Sequence, residues 1–510
     1  MLKTTTKISY GVGGVSDNAL YTLTGTYLLL YLTTVVGLSP ALAGMISAIG
    51  SIWEAIAGPI IGFKSDATIS RFGRRKPFMI IAAVPIAIVT SLLFTTIDAS
   101  MGVKAIYYGF MIVLFWTFFS MEFVPYLSWG ADLTEDYHER TVLRSYAYVF
   151  NQVGMLIGMV LPTIVVDYAM NLGKTTQQSW QYVGIMVGLT ACIALLISSL
   201  TIHKDDLSKE EITRLKEELK SDVKEKFDIK KIFVEYFQII KLKPILMLIG
   251  SSMLYLIANT IFSSDRVFYM TYNLGMSQTE ISLYMFVITI TGVIFVPFIT
   301  STCKKTDKKN VFMWGIGISG VLMILLRFMP VGAPAFASDY ILGQFEEAGV
   351  STSGMGPTMY CIIVCIVYSF ANTCYWQLMP SMVYDICEVD ELKSGQSHAG
   401  AVISLQALSE SICIAIGLQG IGIVLDLAKF DETIAAIPGL FGAVSSVQPE
   451  SALNWVSNMF TLIPGIFMIL VFIVMLRYPI NRERFEKIRF AVERQRNGEK
   501  VDLSEFDDIF

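Results

Sequence analysis

Twelve stretches of about twenty apolar residues recur along this chain, and they restrict its fold more than any other feature. They lie near 10–34, 41–63, 77–97, 105–130, 146–170 and 180–202, then near 244–270, 279–301, 311–329, 355–379, 400–425 and 455–476. Backbone polar groups in hydrocarbon must be satisfied internally, so runs of this length predict membrane-crossing helices and an all-α polytopic protein. Charge agrees with that reading: 16% of residues are Asp, Glu, Lys or Arg, against about 25% in an average soluble domain, which argues against a cytosolic enzyme. A net charge of -5 gives no basic footprint for nucleic acid, and no nucleic-acid partner is expected. The first run begins after nine residues without a small-residue cleavage pattern, so it reads as a retained helix rather than a signal peptide.

The short loops carry the orientation. Lys64, Arg71, Arg74, Arg75 and Lys76 fall between runs 2 and 3, and Lys304, Lys305, Lys308 and Lys309 between runs 8 and 9. The opposite loops offer only Lys104, Lys174 and Lys429. This bias predicts that both termini are cytoplasmic in a cytoplasmic (inner) membrane. A charged segment divides the chain, giving an expected organisation of residues 1–202 as one six-helix bundle, 203–243 as a cytoplasmic linker, 244–476 as a second bundle and 477–510 as a cytoplasmic tail. In the tail, Phe485, Ile488 and Val492 recur at helical spacing, suggesting a helix that lies on the membrane or the loops. Gly37-Leu38-Ser39 and Gly275-Met276-Ser277 stand 238 residues apart, after runs 1 and 7. With the matching basic loops, they point to two bundles related by an axis along the membrane normal, with a path between them.

Polar residues within apolar helices are the candidate site. Asn18, Thr22 and Thr26 share one helix face, suited either to a polar solute or to bonds between helices. Glu54 sits deep in run 2, and desolvation penalises a carboxylate's charge there, the property a proton-coupling group needs. Glu410, four residues after Gln406, is the second coupling candidate. Glu122 and Tyr126 in run 4, Tyr148 and Gln152 in run 5, and Asn372 and Trp376 in run 10 offer acceptors and flat faces for a solute. Asp265 and Arg266 are expected to crowd the outer end of run 7, and Arg327 to snorkel outward. His138, His203 and His398 lie on or near loops, no metal or phosphate motif appears, and the seven cysteines, irregularly spaced, read as small buried hydrophobes. No cofactor or metal is expected, and no obligate protein partner beyond a small solute and membrane lipid.

The segments KISYGVGGVSDNALYTLTGTYLLLYLTTVVGLSP, WEAIAGPIIGFKSDATISRFGRRKPF, PYLSWGADLTEDYHERTVLRSY and VYDICEVDELKSGQSHAGAVISLQAL, with the tail YPINRERFEKI, occur here in fixed order. In that order they resemble the glycoside-pentoside-hexuronide:cation symporter family of the major facilitator superfamily. The resemblance implies the major facilitator fold and alternating-access import of a glycoside or related solute with sodium or protons. It also implies departures. The family's DxxxDP in helix 2 reads here as Glu54, Gly58 and Pro59, leaving one carboxylate; sodium needs several hard oxygens, whereas a proton needs one titratable group, which favours protons. The helix 1 acid maps to Asn18, the helix 4 acid to Phe123 beside Glu122, the helix 5 arginine to Tyr148 and the helix 11 lysine to Ser411. Asp66, Arg71, Arg74 and Arg75 look like the superfamily's cytoplasmic gate, with Asp136, Glu139 and Arg140 in matching roles and Asp385 and Glu388 opposing them as a latch. The rival functions are an uncoupled facilitator or exporter of a more apolar amphiphile, and a receptor or scaffold without transport.

Overall fold

The computed structural model describes residues 2–66, 68–133, 137–203, 242–276, 278–331, 356–394, 399–431, 448–497, 499, 503–506 and 509. Most of the expected linker, Asp136, and the side chains of Asp66, Glu139 and Arg140 lie outside the described residues.

Among the described residues twelve long helices follow one another: α1 (Thr4–Leu30), α2 (Pro40–Asp66), α3 (Lys76–Leu93), α4 (Met101–Asp132), α5 (Tyr137–Asn171), α6 (Thr176–Thr201), α7 (Lys243–Phe268), α8 (Gln278–Lys305), α9 (Lys308–Arg327), α10 (Pro357–Ser394), α11 (Ala399–Leu427) and α12 (Glu450–Leu476). A shorter helix, α13 (Arg482–Arg496), follows α12. Among the described residues, eleven helices are long and apolar enough to cross a membrane. Helix α1 is not one of them, although it spans the same bundle. Its Ser16, Asp17, Asn18, Thr22, Thr24 and Thr26 interrupt the apolar run, and most of that polar surface is turned inward.

Helices α1 to α6 pack on one another, as do α7 to α12. The two sets meet where α2 lies along α11, α5 along α8 and α1 along α7. At the end carrying the termini, Lys76 Nζ donates to the Ile202 carbonyl at 2.7 Å, tying the start of α3 to the exit from α6. Asp307 caps α9 by accepting from the Lys309 backbone N–H at 2.9 Å, and its other oxygen accepts from the Arg482 N–H at 2.8 Å. The tail helix therefore docks on the loop before α9, and it packs along α10, with Ile488 and Val492 buried. The loops, one of the tail's two expected resting places, thus receive it together with the second bundle.

The repeat extends to backbone detail. Helix α1 continues into a π turn at Tyr31–Val35, and α7 into one at Tyr269–Asn273, again 238 residues on. The Leu38 N–H reaches the Leu32 carbonyl as the Met276 N–H reaches that of Met270. Both corners turn through a glycine with positive φ, Gly37 at 75° and Gly275 at 59°, a conformation that costs a residue without Cβ little. The same offset relates Pro59 within α2 to Pro297 within α8.

Candidate functional site

A cavity of about 540 Å³ lies between the two sets of helices. The α1 stripe reaches it through Asn18, Thr22 and Thr26; Glu54 reaches it from α2, Tyr148 and Gln152 from α5, and Asn372 and Trp376 from α10. The structure thus brings together most of the residues singled out from sequence. Tyr148 and Trp376 are each 47% exposed, whereas Thr26 and Arg266 are 3% and 2% exposed, so the cavity is closed at the end away from the termini. Contacts between the bundles make that closure. Ser264 Oγ donates to the Gly25 carbonyl at 3.2 Å, and Thr289 Oγ1 lies 3.7 Å from Met159 Sδ.

Three expected site residues stand elsewhere. Glu122 is 1% exposed and does not line the cavity. It lies beside Ser16 inside the first bundle, in range of Asp17 and Cys192, and neither carboxylate oxygen has hydrogen-bond geometry to a described donor. Packing of α4 on α2 and α3 turns that face inward rather than toward the second bundle. Tyr126 clasps α1: its ring stacks on Tyr10 at 4.8 Å, its hydroxyl donates to the Tyr10 carbonyl at 3.0 Å, and the Tyr10 hydroxyl donates back at 3.4 Å. Both are packing residues here, not cavity walls.

Glu410 lines an adjoining chamber of about 230 Å³ that shares Trp376 with the main cavity. Gln406 Nε2 donates to Glu410 Oε1 at 3.0 Å and to Ser252 Oγ at 2.7 Å, and Ser252 meets the Tyr375 hydroxyl at 2.5 Å. This chain of bonds fixes the carboxylate's direction. Glu54 lies within Coulombic range of both Asp17 and Glu410, and the Tyr21 ring, 37% exposed, stands among all three. Asn18 Nδ2 donates to Asp17 Oδ2 at 3.2 Å, which leaves the Asn18 carbonyl oxygen as its acceptor toward the cavity side.

The expected gate is engaged differently in its two halves. Arg75 Nη1 donates to Ser65 Oγ at 3.1 Å, Arg71 lies 4.5 Å over the Phe72 ring, and Arg74 is exposed. Asp385 forms an ion pair with Lys308, on α9 of its own bundle. Glu388, on the same helix, keeps a buried Oε2 with no described donor. The side chains expected to oppose them, those of Asp136, Glu139 and Arg140, lie outside the described residues. Arg327 also departs from its expected snorkelling, since its Nε donates to Asn458 Oδ1 at 2.8 Å, between α9 and α12. Six of the cysteines are buried and Cys303 is partly so.

Several cavity residues are not evident from single helices. Arg266, expected at an exposed end, is buried on the cavity wall, where its Nη2 donates to Thr26 Oγ1 at 2.8 Å. Asn259 accepts a bond from the Tyr368 hydroxyl, and both line the cavity. Asn372 Oδ1 accepts from Tyr255 at 3.2 Å. The repeat does hold a signal for two wall positions: adding 238 to Thr22 and Thr26 gives Thr260 and Ser264.

Comparison with known proteins gives a consistent picture. The description "MFS/sugar transport protein" matches residues 9–482. The chain is similar to "Uncharacterized symporter YnaJ" of Bacillus subtilis (strain 168), 25% identical over 512 residues and covering 99% of this chain and 97% of that one. It is also similar to the "Isoprimeverose transporter" of Lactiplantibacillus pentosus, 21% identical over 478 residues, with 93% and 88% covered. Among solved structures, one of a proton-dependent oligopeptide transporter matches with a TM-score of 0.64 at 13% identity, covering 96% of this chain and 100% of that one. The inward-open xylose transporter XylE from E. coli matches with a TM-score of 0.58 at 13% identity, covering 95% and 98%. At these identities the structural likeness concerns the fold.

Proposed function

The chain belongs to the MFS/sugar transport protein family and is a multi-pass secondary transporter, and on that footing we propose that it imports a glycoside-like solute together with a proton. The observation that carries this reading is the convergence of uncharged polar and aromatic groups from both bundles on one cavity with a carboxylate, Glu54, in its wall. About 540 Å³ is within the usual range for small-molecule sites. Asn18, Thr22, Gln152 and Asn372 supply both donors and acceptors for hydroxyl groups, while Trp376 and Tyr148 offer flat apolar faces to a ring. The relative named for isoprimeverose supports a sugar-like solute.

The excess of basic residues in loops at the terminal end supports a cytoplasmic membrane with both termini inside. The cavity in that orientation opens inward. Carboxylates on α1, α2 and α11 within Coulombic range repel one another, and a cation that neutralises one relieves the repulsion. Glu54 is the group placed to take that proton, because it alone of Glu54 and Glu410 lines the solute cavity. Solute and proton then occupy the same wall, so opening to one side exchanges both. Switching a two-state carrier from 1:99 to 99:1 takes about 5.5 kcal/mol of differential binding, which the pair supplies together.

Reconstitution into sealed vesicles tests this. An inward proton gradient is expected to drive uphill accumulation of a glycoside from a panel, and a sodium gradient is not. Equilibration without accumulation would identify a facilitator instead, and binding without flux a receptor.

A further inference from the structure

The hydrogen-bond chain that holds Glu410 leaves its chamber without a donor. Glu410 Oε1 accepts from Gln406 Nε2, whose other hydrogen goes to Ser252 Oγ, so both hydrogens of that amide are spent. The same serine holds the Tyr375 hydroxyl. Glu410 Oε2 has no described donor, and among the described residues no cation pairs with this carboxylate. At its polar edge the chamber thus presents a ligand with an acceptor. The other walls are apolar and aromatic: Tyr375, Trp376, Met379 and Val383 line it from α10. The two rings meet at 89° with centroids 5.3 Å apart, a corner in Coulombic range of the carboxylate.

Aromatic faces attract an ammonium, and a carboxylate at the same corner adds a charge-assisted hydrogen bond. A hard metal ion is poorly matched, since it needs several oxygen ligands and these walls are mostly carbon. The chamber's place fixes how a ligand would lie. Trp376 belongs to both spaces, and Met379 and Val383 follow it along α10 toward Asp385 and Lys308 at the open end. Resting on the reading of the main cavity as the glycoside site, we infer that the solute is a glycoside whose aglycone carries an ammonium group. Its sugar ring lies in the main cavity, and the ammonium sits behind Trp376 on the open side, bonded to Glu410. About 230 Å³ leaves room for a short amine-bearing chain. Glu410 is then the specificity-determining contact for the solute's charge, a role separate from the proton taken by Glu54.

Calorimetric binding to the purified full-length protein in lipid nanodiscs tests the assignment at neutral pH, where an alkylamine is protonated. The probes are glucosides, galactosides and xylosides in both anomers, each with an aminoethyl or aminopropyl aglycone and its hydroxyethyl or hydroxypropyl counterpart. In at least one series the amine is expected to bind about tenfold or more tightly than the matching alcohol. Glu410→Gln, which keeps the side chain's shape, is expected to bring the two to within about twofold of each other. Equal affinity of amine and alcohol throughout the wild type would overturn the inference without needing any variant, as would a preference that survives Glu410→Gln. Binding of the alcohols alone would leave glycoside transport standing and remove the ammonium. Binding of no member in any series would remove both.

Discussion

Gly44 and Gly422 face each other where α2 crosses α11, so closely that a Cβ on Gly44 would meet the Leu418 carbonyl oxygen at 2.8 Å and Gly422 Cα at 3.2 Å. Both obstacles are backbone, which cannot step aside as a flexible side chain does. This crossing lies at the end away from the termini, where Gln419 Nε2 also approaches the Ala41 carbonyl at 3.5 Å. Small residues permit such close packing of membrane helices.

Replacing Gly44 by Leu is therefore expected to force the crossing apart, at about 1–3 kcal/mol for overpacking. The closure should weaken at that end alone. A membrane-impermeant maleimide applied from that side would label a cysteine placed at Thr22 faster in the Gly44→Leu background. Equal labelling in both backgrounds would mean that the glycine pair does not hold the bundles together.

Glu54→Gln removes the titratable group from the cavity wall while keeping the side chain's shape. Proton-driven accumulation is expected to disappear and solute exchange down a gradient to persist, read as uptake with and without an imposed pH difference. An unaltered ratio of protons to solute in the variant would eliminate Glu54 as the coupling group.

Trp376 divides the main cavity from the chamber of Glu410, and nearly half of its surface is open. Trp376→Ala is expected to weaken glycoside binding about tenfold, the equivalent of about 1.4 kcal/mol, by removing a stacking face. Trp376→Phe should recover most of it. Titration of a bound glycoside by calorimetry decides between a stacking wall and a mere partition.

Glu122 and Tyr126 provide the contrasting case. Tyr126→Phe loses the bond to the Tyr10 carbonyl, about 1 kcal/mol of stability, and Glu122→Gln removes a buried carboxyl that has no described donor. Neither is expected to change solute affinity by more than about twofold, since neither side chain lines the cavity. Thermal unfolding with parallel binding measurements tests both; a loss of affinity without a loss of stability would restore them to the site.

Lys308→Ala leaves Asp385 mostly buried without its cation. The loss is expected to be modest, about 1–2 kcal/mol, because Lys308 is itself partly exposed. Thermal unfolding of Lys308→Ala, Asp385→Asn and the double variant measures the pair, and additive effects would show no coupling between them.

Membrane helices advertise their length and their polar residues, and for that reason α1's stripe and Glu54 are legible in the amino-acid sequence itself. Which neighbour a polar face meets is another matter. Glu122 and Asn18 look alike as polar interruptions, yet α4 turns the first toward α1 and α6 while α1 turns the second toward the cavity. Hydropathy records that a residue is costly in lipid, not which interior accepts it. Arg266 is hidden for a related reason: its proximity to the end of an apolar run suggests water, and the approach of α1 to α7 helps to bury it. The repeat reaches deeper than its glycine corners and basic loops suggest, since its offset transfers cavity positions from one bundle to the other.

The two π turns have a further consequence for how the halves are aimed. Such a turn accommodates one residue more than ordinary α-helical winding, and each residue of an α-helix accounts for about 100° of rotation. Excising a single residue from Tyr31–Val35 would swing Asn18, Thr22 and Thr26 around the helix axis relative to the corner at Gly37, away from the chamber they now line. The same arithmetic holds for Tyr269–Asn273 and Arg266. In each half, then, the compass bearing of the solute-facing surface is set by one surplus residue at the far corner.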